Sequence, residues 1–163
     1  MNIIALLLLI VSLAGCATTP APAPVASPVA FSASEYAALP KSGNSTITGQ
    51  AFLKKSNGDI KVAAGNEIRL NPVTSYSLYV YNSAASSQQK LDPRCLQYRR
   101  TTIADSNGRF RFKNIPAGDY FVSAAVKSSA ATGRQNASDS RASKVIKRVA
   151  VGSGGTAEVM VRE

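Results

Sequence analysis

Two cysteines, a surplus of cations and no histidine set the chemistry open to this chain. Without histidine the usual general base and the commonest zinc ligand are missing, and so are most Ser/His and Cys/His nucleophile arrangements. Cys95 is the thiol deepest in the chain, and a neighbouring Arg94 could lower its pKa. With no base beside it, Cys95 reads more simply as a small, partly buried apolar residue, with a reactive thiol as the sharper alternative. Asp105-Ser106-Asn107 has the start of a calcium loop but lacks further oxygen ligands, so turn formation is the more economical use. No catalytic residue, metal site or cofactor is therefore expected. What remains is binding chemistry. Arg94, Arg99, Arg100, Arg109, Arg111 and Lys113 form one cationic series, and Tyr76, Tyr79 and Tyr81 could stack on sugars or fill a core.

The elements that carry these residues begin after a distinct leader. Residues 3–13 are an Ile/Leu/Val-rich run, shorter than the roughly 20 residues needed to span a bilayer and suited to a secretory signal. Leu13-Ala14-Gly15 puts small residues before Cys16, whose thiol a diacylglycerol group can alkylate. This L-A-G-C pattern resembles the lipobox of bacterial lipoproteins. The resemblance implies cleavage before Cys16, a lipid on its sulfur (a palmitate-type acyl modification) and membrane attachment through that lipid. Ala17, where an aspartate would imply retention at the inner membrane, implies an outer-membrane anchor facing the periplasm. The basic start usual for such a leader is absent, leaving only the terminal amine.

Residues 17–40 are rich in alternating Ala and Pro, which lacks a ladder donor and favours extended chain. They read as a tether, with Phe31, Tyr36 and Leu39 able instead to dock onto the domain or to begin a partner-binding segment. No Lys or Arg precedes Lys41, so residues 41–163 hold 19 cations against 8 anions, a net charge of +11. That balance favours anionic partners. An envelope location argues against nucleic acid.

From residue 45 the hydrophobic period is two. The alternation predicts strands at 45–52, 67–71, 98–104, 109–113, 120–127, 144–151 and 156–162, with turns at 54–59, 105–108 and 114–119. Phe110 and Phe112 share one face of their strand, opposite Arg109, Arg111 and Lys113. About seven short strands predict an all-β fold, a single antiparallel two-sheet sandwich. Residues 83–90 and 128–143 read as Ser/Ala-rich loops, and 76–96 fits either a strand or a short helix with a loop. The tight turn at 105–108 suggests that 98–104 pairs with 109–113, gathering Arg99, Arg100, Arg109, Arg111 and Lys113 on one hairpin.

DSNGRFRFKNIPAGDYFVSAAV resembles the hallmark of carboxypeptidase regulatory-like domains, a branch of the transthyretin-like sandwiches, which also share a carbohydrate-binding-like fold. The matching features are the threonine-rich strand before Gly108, the Phe110/Phe112 strand and the turn from Pro116 to Tyr120. The resemblance covers residues 46–161 and implies a fold more than a function. The expected organisation is a signal peptide over 1–15, a lipidated Cys16 and tether over 16–44, and a sandwich over 45–163. The leading expectation is a non-catalytic, lipid-anchored envelope protein whose sandwich is a structural or protein-binding module. The alternative is an anionic-glycan module for peptidoglycan or lipopolysaccharide, with Arg99, Arg100, Arg109, Arg111, Lys113, Tyr79 and Tyr81 as candidate ligand contacts. An enzyme using Cys95 ranks last.

Overall fold

Alternating burial along a ten-residue strand organises the domain. In β1 (Ser45–Lys54) every second side chain is buried, and these include Ile47, Ala51 and Leu53. The computed structural model describes residues 29–55, 57–83, 91–127 and 142–162. The signal residues Leu13, Ala14 and Gly15, the lipidation candidate Cys16, the tether up to 28 and most of the two Ser/Ala-rich segments lie outside the described residues.

β1 is the centre of the first sheet. β5 (Arg109–Ile115) pairs with it antiparallel on one side and β8 (Thr156–Val161) runs parallel on the other. A short β2 (Ile60–Val62) folds back on the end of β1, Lys54 opposite Ile60. The second sheet has the order β4-β3-β6-β7, from β4 (Arg100–Ile103), β3 (Glu67–Pro72), β6 (Gly118–Lys127) and β7 (Ala142–Val151), all antiparallel. The two-sheet sandwich is as expected, with eight strands rather than about seven. The extra one is β2, whose three residues are too few for a period to register.

The core lies between the sheets. Ile47, Ala51, Phe110, Phe112, Val159 and Val161 meet Ile68, Leu70, Val122, Ala124, Val126 and Val145. Phe110 and Phe112 touch edge to face, with centroids 5.9 Å apart. Gly49 makes room for them: a Cβ there would lie 2.7 Å from Phe110 Cζ and closer still to the Val159 carbonyl.

The turn at 105–108 forms, but it does not close the expected hairpin. Asp105 Oδ1 accepts from the N–H groups of Asn107 and Arg109, and Gly108 takes a φ of 74°. One rung, Asp105 N to Arg109 O at 2.9 Å, joins the arms. They then part, because the Gly108 carbonyl accepts from Ala51 N while Ala104 N donates to Asn66. β4 therefore pairs with β3 and β5 with β1, so the turn carries the chain from one sheet to the other.

The second sheet has a further apolar layer on its outer face. β6 is buried on both sides: Tyr120, Val122 and Ala124 face the sandwich core, while Phe121 meets Tyr81 at 4.7 Å between centroids. Tyr81 belongs to helix α2 (Ser75–Asn82), which answers the ambiguity of that region in favour of a helix. Thr74 caps it, its Oγ1 accepting from Ser77 N while Ser77 Oγ accepts from Thr74 N. Tyr76, Ser77, Val80 and Tyr81 form its buried side, a helical spacing that the alternating Tyr/Leu/Tyr/Val order conceals.

Candidate functional site

A short arm completes the domain and walls a cleft. Helix α1 (Ala33–Ala37) carries Tyr36, which is 2% exposed. Thr74 Oγ1 donates to Tyr36 Oη at 3.0 Å, and Phe31 stacks on the Tyr36 ring at 4.7 Å. Glu35 accepts from Ser75 N at 2.8 Å and from Ser75 Oγ at 2.6 Å, adding a carboxylate to the first turn of α2. Arg94 lies 4.4 Å from the Phe31 ring centroid. Phe31, Tyr36 and Leu39, expected first as the end of a tether, are instead docked onto the domain. Two aromatic rings and a leucine give the arm a surface to bury, which the Ala/Pro pattern before them lacks.

Burial pushes the Tyr36 phenol from 10.0 up to about 12, although the Thr74 bond opposes the shift. Below pH 10 both docked and undocked forms are neutral, and docking keeps its full stability. Between about pH 10 and 12 the undocked tyrosine ionises while the docked one resists, so docking weakens as pH rises. Protease sensitivity of residues 29–41 is expected to increase across that window and to stay flat across it in Tyr36→Phe.

Where the arm rejoins the sandwich, Leu39, Pro40 and Lys41 line a cleft of about 440 Å³. Its other walls are the end of β3 at Pro72, the segment 97–100 that leaves a 3-10 turn (Pro93–Tyr98), and the β5–β6 corner from Pro116 to Tyr120. Arg100 ties three of these parts together, donating from Nη1 to the Asn114 carbonyl at 3.0 Å and from Nη2 to the Lys41 carbonyl at 2.9 Å. Arg99 Nε donates to Asn71 Oδ1 at 3.0 Å. Tyr120 Oη donates to the Pro116 carbonyl at 2.9 Å, and burial pushes its phenol up, against the lowering effect of Arg100. Asp119 pairs with Arg148 at 3.2 Å. The cleft thus offers aromatic surface from Tyr98 beside Gln97, Arg99, Arg100 and Asp119, with the largely buried Tyr120 in its wall.

The expected cationic hairpin is split between two places. Arg99 and Arg100 line this cleft, whereas Arg109 and Arg111 line a shallow groove of about 690 Å³ on the outer face of the first sheet, and Lys113 is exposed on the same strand face. The split follows from the turn that crosses between the sheets. Tyr79 is half-buried in the layer around Tyr36, Tyr76 and Val80. Tyr81 is buried against Phe121 with Lys144 Nζ 4.8 Å from its ring centroid, so neither face of its ring is free for a ligand. The sequence alone does not mark Tyr98, Tyr120, Pro40 or Lys41 as ligand contacts. Tyr98 was detectable as the aromatic beside two arginines in Gln97-Tyr98-Arg99-Arg100; the arm's part depends on folding.

Cys95 is buried in the Tyr36 layer and its thiol donates to the Asp92 carbonyl. Burial pushes that thiol up, opposed by Arg99. Arg94, the sequence neighbour expected to activate it, is instead bound to Asp92 at 2.8 Å and lies over Phe31.

No protein-family model matches the chain, and no curated protein matches it. Among solved structures it is similar to a "putative carbohydrate binding protein" from Pseudomonas aeruginosa, with 28% sequence identity and a TM-score of 0.66. The match covers 82% of this chain and 97% of the other.

Proposed function

We propose that the chain is a non-catalytic glycan-binding module of a bacterial cell envelope, held at the outer membrane by a lipid on Cys16. The carrying observation is the cleft, where Tyr98 stands beside Arg99, Arg100 and Gln97. Aromatic faces suit the apolar side of a sugar ring, and guanidinium groups suit carboxylate or phosphate substituents. An acidic glycan such as peptidoglycan or lipopolysaccharide matches both demands, and the net charge of +11 on residues 41–163 favours it. The similarity to a carbohydrate-binding neighbour of 28% identity supports this choice over a purely structural module. The lipobox resemblance at Leu13-Ala14-Gly15-Cys16 carries the location, and the DSNGRF…PAGDY pattern carries the assignment to the carboxypeptidase regulatory-like sandwiches.

The test is titration of the full chain, as purified from membranes, with muropeptides and with lipopolysaccharide core oligosaccharide, read by calorimetry. Saturable binding is expected, weakened about tenfold or more by Tyr98→Ala, as for a central aromatic contact. Arg109→Glu/Arg111→Glu is expected to leave the affinity unchanged, since those residues lie outside the cleft. Loss of binding in that double variant with Tyr98→Ala intact would move the site to the outer groove. No binding to either glycan would leave a protein partner as the better reading.

A further inference from the structure

The outer face of the first sheet combines two features that free solution does not favour together. Its outward positions in register put Gln50 between Arg109 and Met160, and Thr48 between Arg111 and Glu158. At the end of β1, Lys54 stands opposite Ile60. Ile60 is 63% exposed and Met160 46%, and Ile103, at 62%, borders the same groove from β4. Three of the most exposed large apolar side chains among the described residues therefore meet on or beside this face. Arg109 and Arg111 make no ion pair and no side-chain hydrogen bond among the described residues, although two acids, Glu158 on the same face and Asp105 in the turn, also line the groove.

Each part narrows the partner. Unpaired guanidinium groups call for an anion. Exposed Ile and Met side chains call for an apolar phase, and the shallow groove on this face is lined by no Tyr or Trp ring on which a sugar could stack. A glycan chain would satisfy the arginines and leave the apolar side chains in water. The boundary of an anionic bilayer satisfies both, with phosphates for the cations and acyl chains just beneath for the apolar groups. Among the described residues no helix is long and apolar enough to cross a membrane, so contact through this face would be superficial.

We infer that the outer face of the first sheet, built on β1 with β2, β5 and β8, is a seat for an anionic phospholipid surface, with Ile60, Met160 and Ile103 at the acyl boundary and Arg109, Arg111 and Lys54 on the phosphates. β1 runs from Ser45, opposite Ile115, to Lys54; the seat covers its outward face from Thr48 to Lys54, and the cleft lies beyond the Ser45 end, where the chain continues from Ile115 into Pro116. This inference does not depend on what the cleft binds.

The test uses the full chain with one environment-sensitive dye, attached at Met160→Cys or at Ser153→Cys, each with Cys16→Ala and Cys95→Ala so that one thiol is present. Ser153 is exposed in the β7–β8 turn, beside Gly154, whose N–H bonds to Asn44 at the cleft end. In vesicles of equimolar phosphatidylglycerol and phosphatidylcholine, the dye at 160 is expected to shift to shorter wavelength and be quenched by lipids carrying a shallow acyl-chain quencher. The dye at 153 stays aqueous. Pure phosphatidylcholine vesicles, or Arg109→Glu/Arg111→Glu in the anionic vesicles, should cut the response at 160 by about tenfold or more. An aqueous dye at 160 in the anionic vesicles, or equal responses at 160 and 153, overturns the inference. Calorimetry with muropeptides on the same samples reports on the cleft separately, so either conclusion can fail alone.

Discussion

Phe112→Ala is expected to lower the stability of the domain by about 3–5 kcal/mol, the usual cost of emptying a buried aromatic site. Phe112 lies opposite Ile47 in register, is nearly inaccessible and packs edge to face on Phe110. Domains of this kind hold a total of about 5–15 kcal/mol, so the loss is a large share of the whole. The thermal midpoint should fall by roughly 10 °C or more. Arg111→Ala, one residue away on the opposite face, should stay within about 0.5 kcal/mol of the parent. Equilibrium denaturation of both variants checks the prediction. A loss below about 1 kcal/mol for Phe112→Ala would mean that the two sheets do not close on this ring.

Tyr36→Ala is expected to release the arm while the sandwich stays folded. The side chain is buried, stacks on Phe31, tilts against Tyr98 at 5.0 Å and receives the Thr74 bond. Removing such a ring costs about 3–5 kcal/mol. Here the cost falls on a local docking equilibrium, because the Tyr36 layer is separate from the core between the sheets. Amide exchange across residues 33–41 should speed up by about a hundredfold or more, while the β1 and β6 amides change little. Tyr36→Phe should lose only about 1 kcal/mol, for the missing hydrogen bond. The variant should also weaken the cleft, since Leu39, Pro40 and Lys41 form one of its walls and Arg100 holds the Lys41 carbonyl. Unchanged exchange in the arm would show that its contacts contribute little to docking. A global collapse would show that the arm is part of the cooperative core.

How far the fold can be read before folding depends on whether the signal is local. The strands around Ile47, Ile68, Phe110, Val122, Val145 and Val159 carry their own alternation or apolar run, and each lies where that pattern predicts. The Asp105–Gly108 turn is equally local, since the carboxylate bonds the N–H groups of its own loop. α2 is different. Its Tyr and Val residues favour strands, and the helix forms because Thr74 caps it and Phe121 and Tyr36 give its buried side something to cover. The candidate site divides the same way. Arg99 and Arg100 are recognisable as cations beside an aromatic, whereas Tyr81 has a binding residue's chemistry and a core residue's position.

The sequence by itself determined the alternating strands, the turn chemistry, the basic charge and the two-sheet class, because each depends on residues within a few positions of one another. Tertiary structure alone decided which strands pair, and therefore that one tight turn crosses between sheets and sends Arg99 and Arg100 to a cleft but Arg109 and Arg111 to an open face. It also decided that the arm docks and walls that cleft. Both outcomes rest on contacts between segments far apart in the chain, Arg100 with Lys41 and Tyr36 with Thr74 among them. Such contacts depend on how whole surfaces fit together, and no local pattern of side chains encodes that fit.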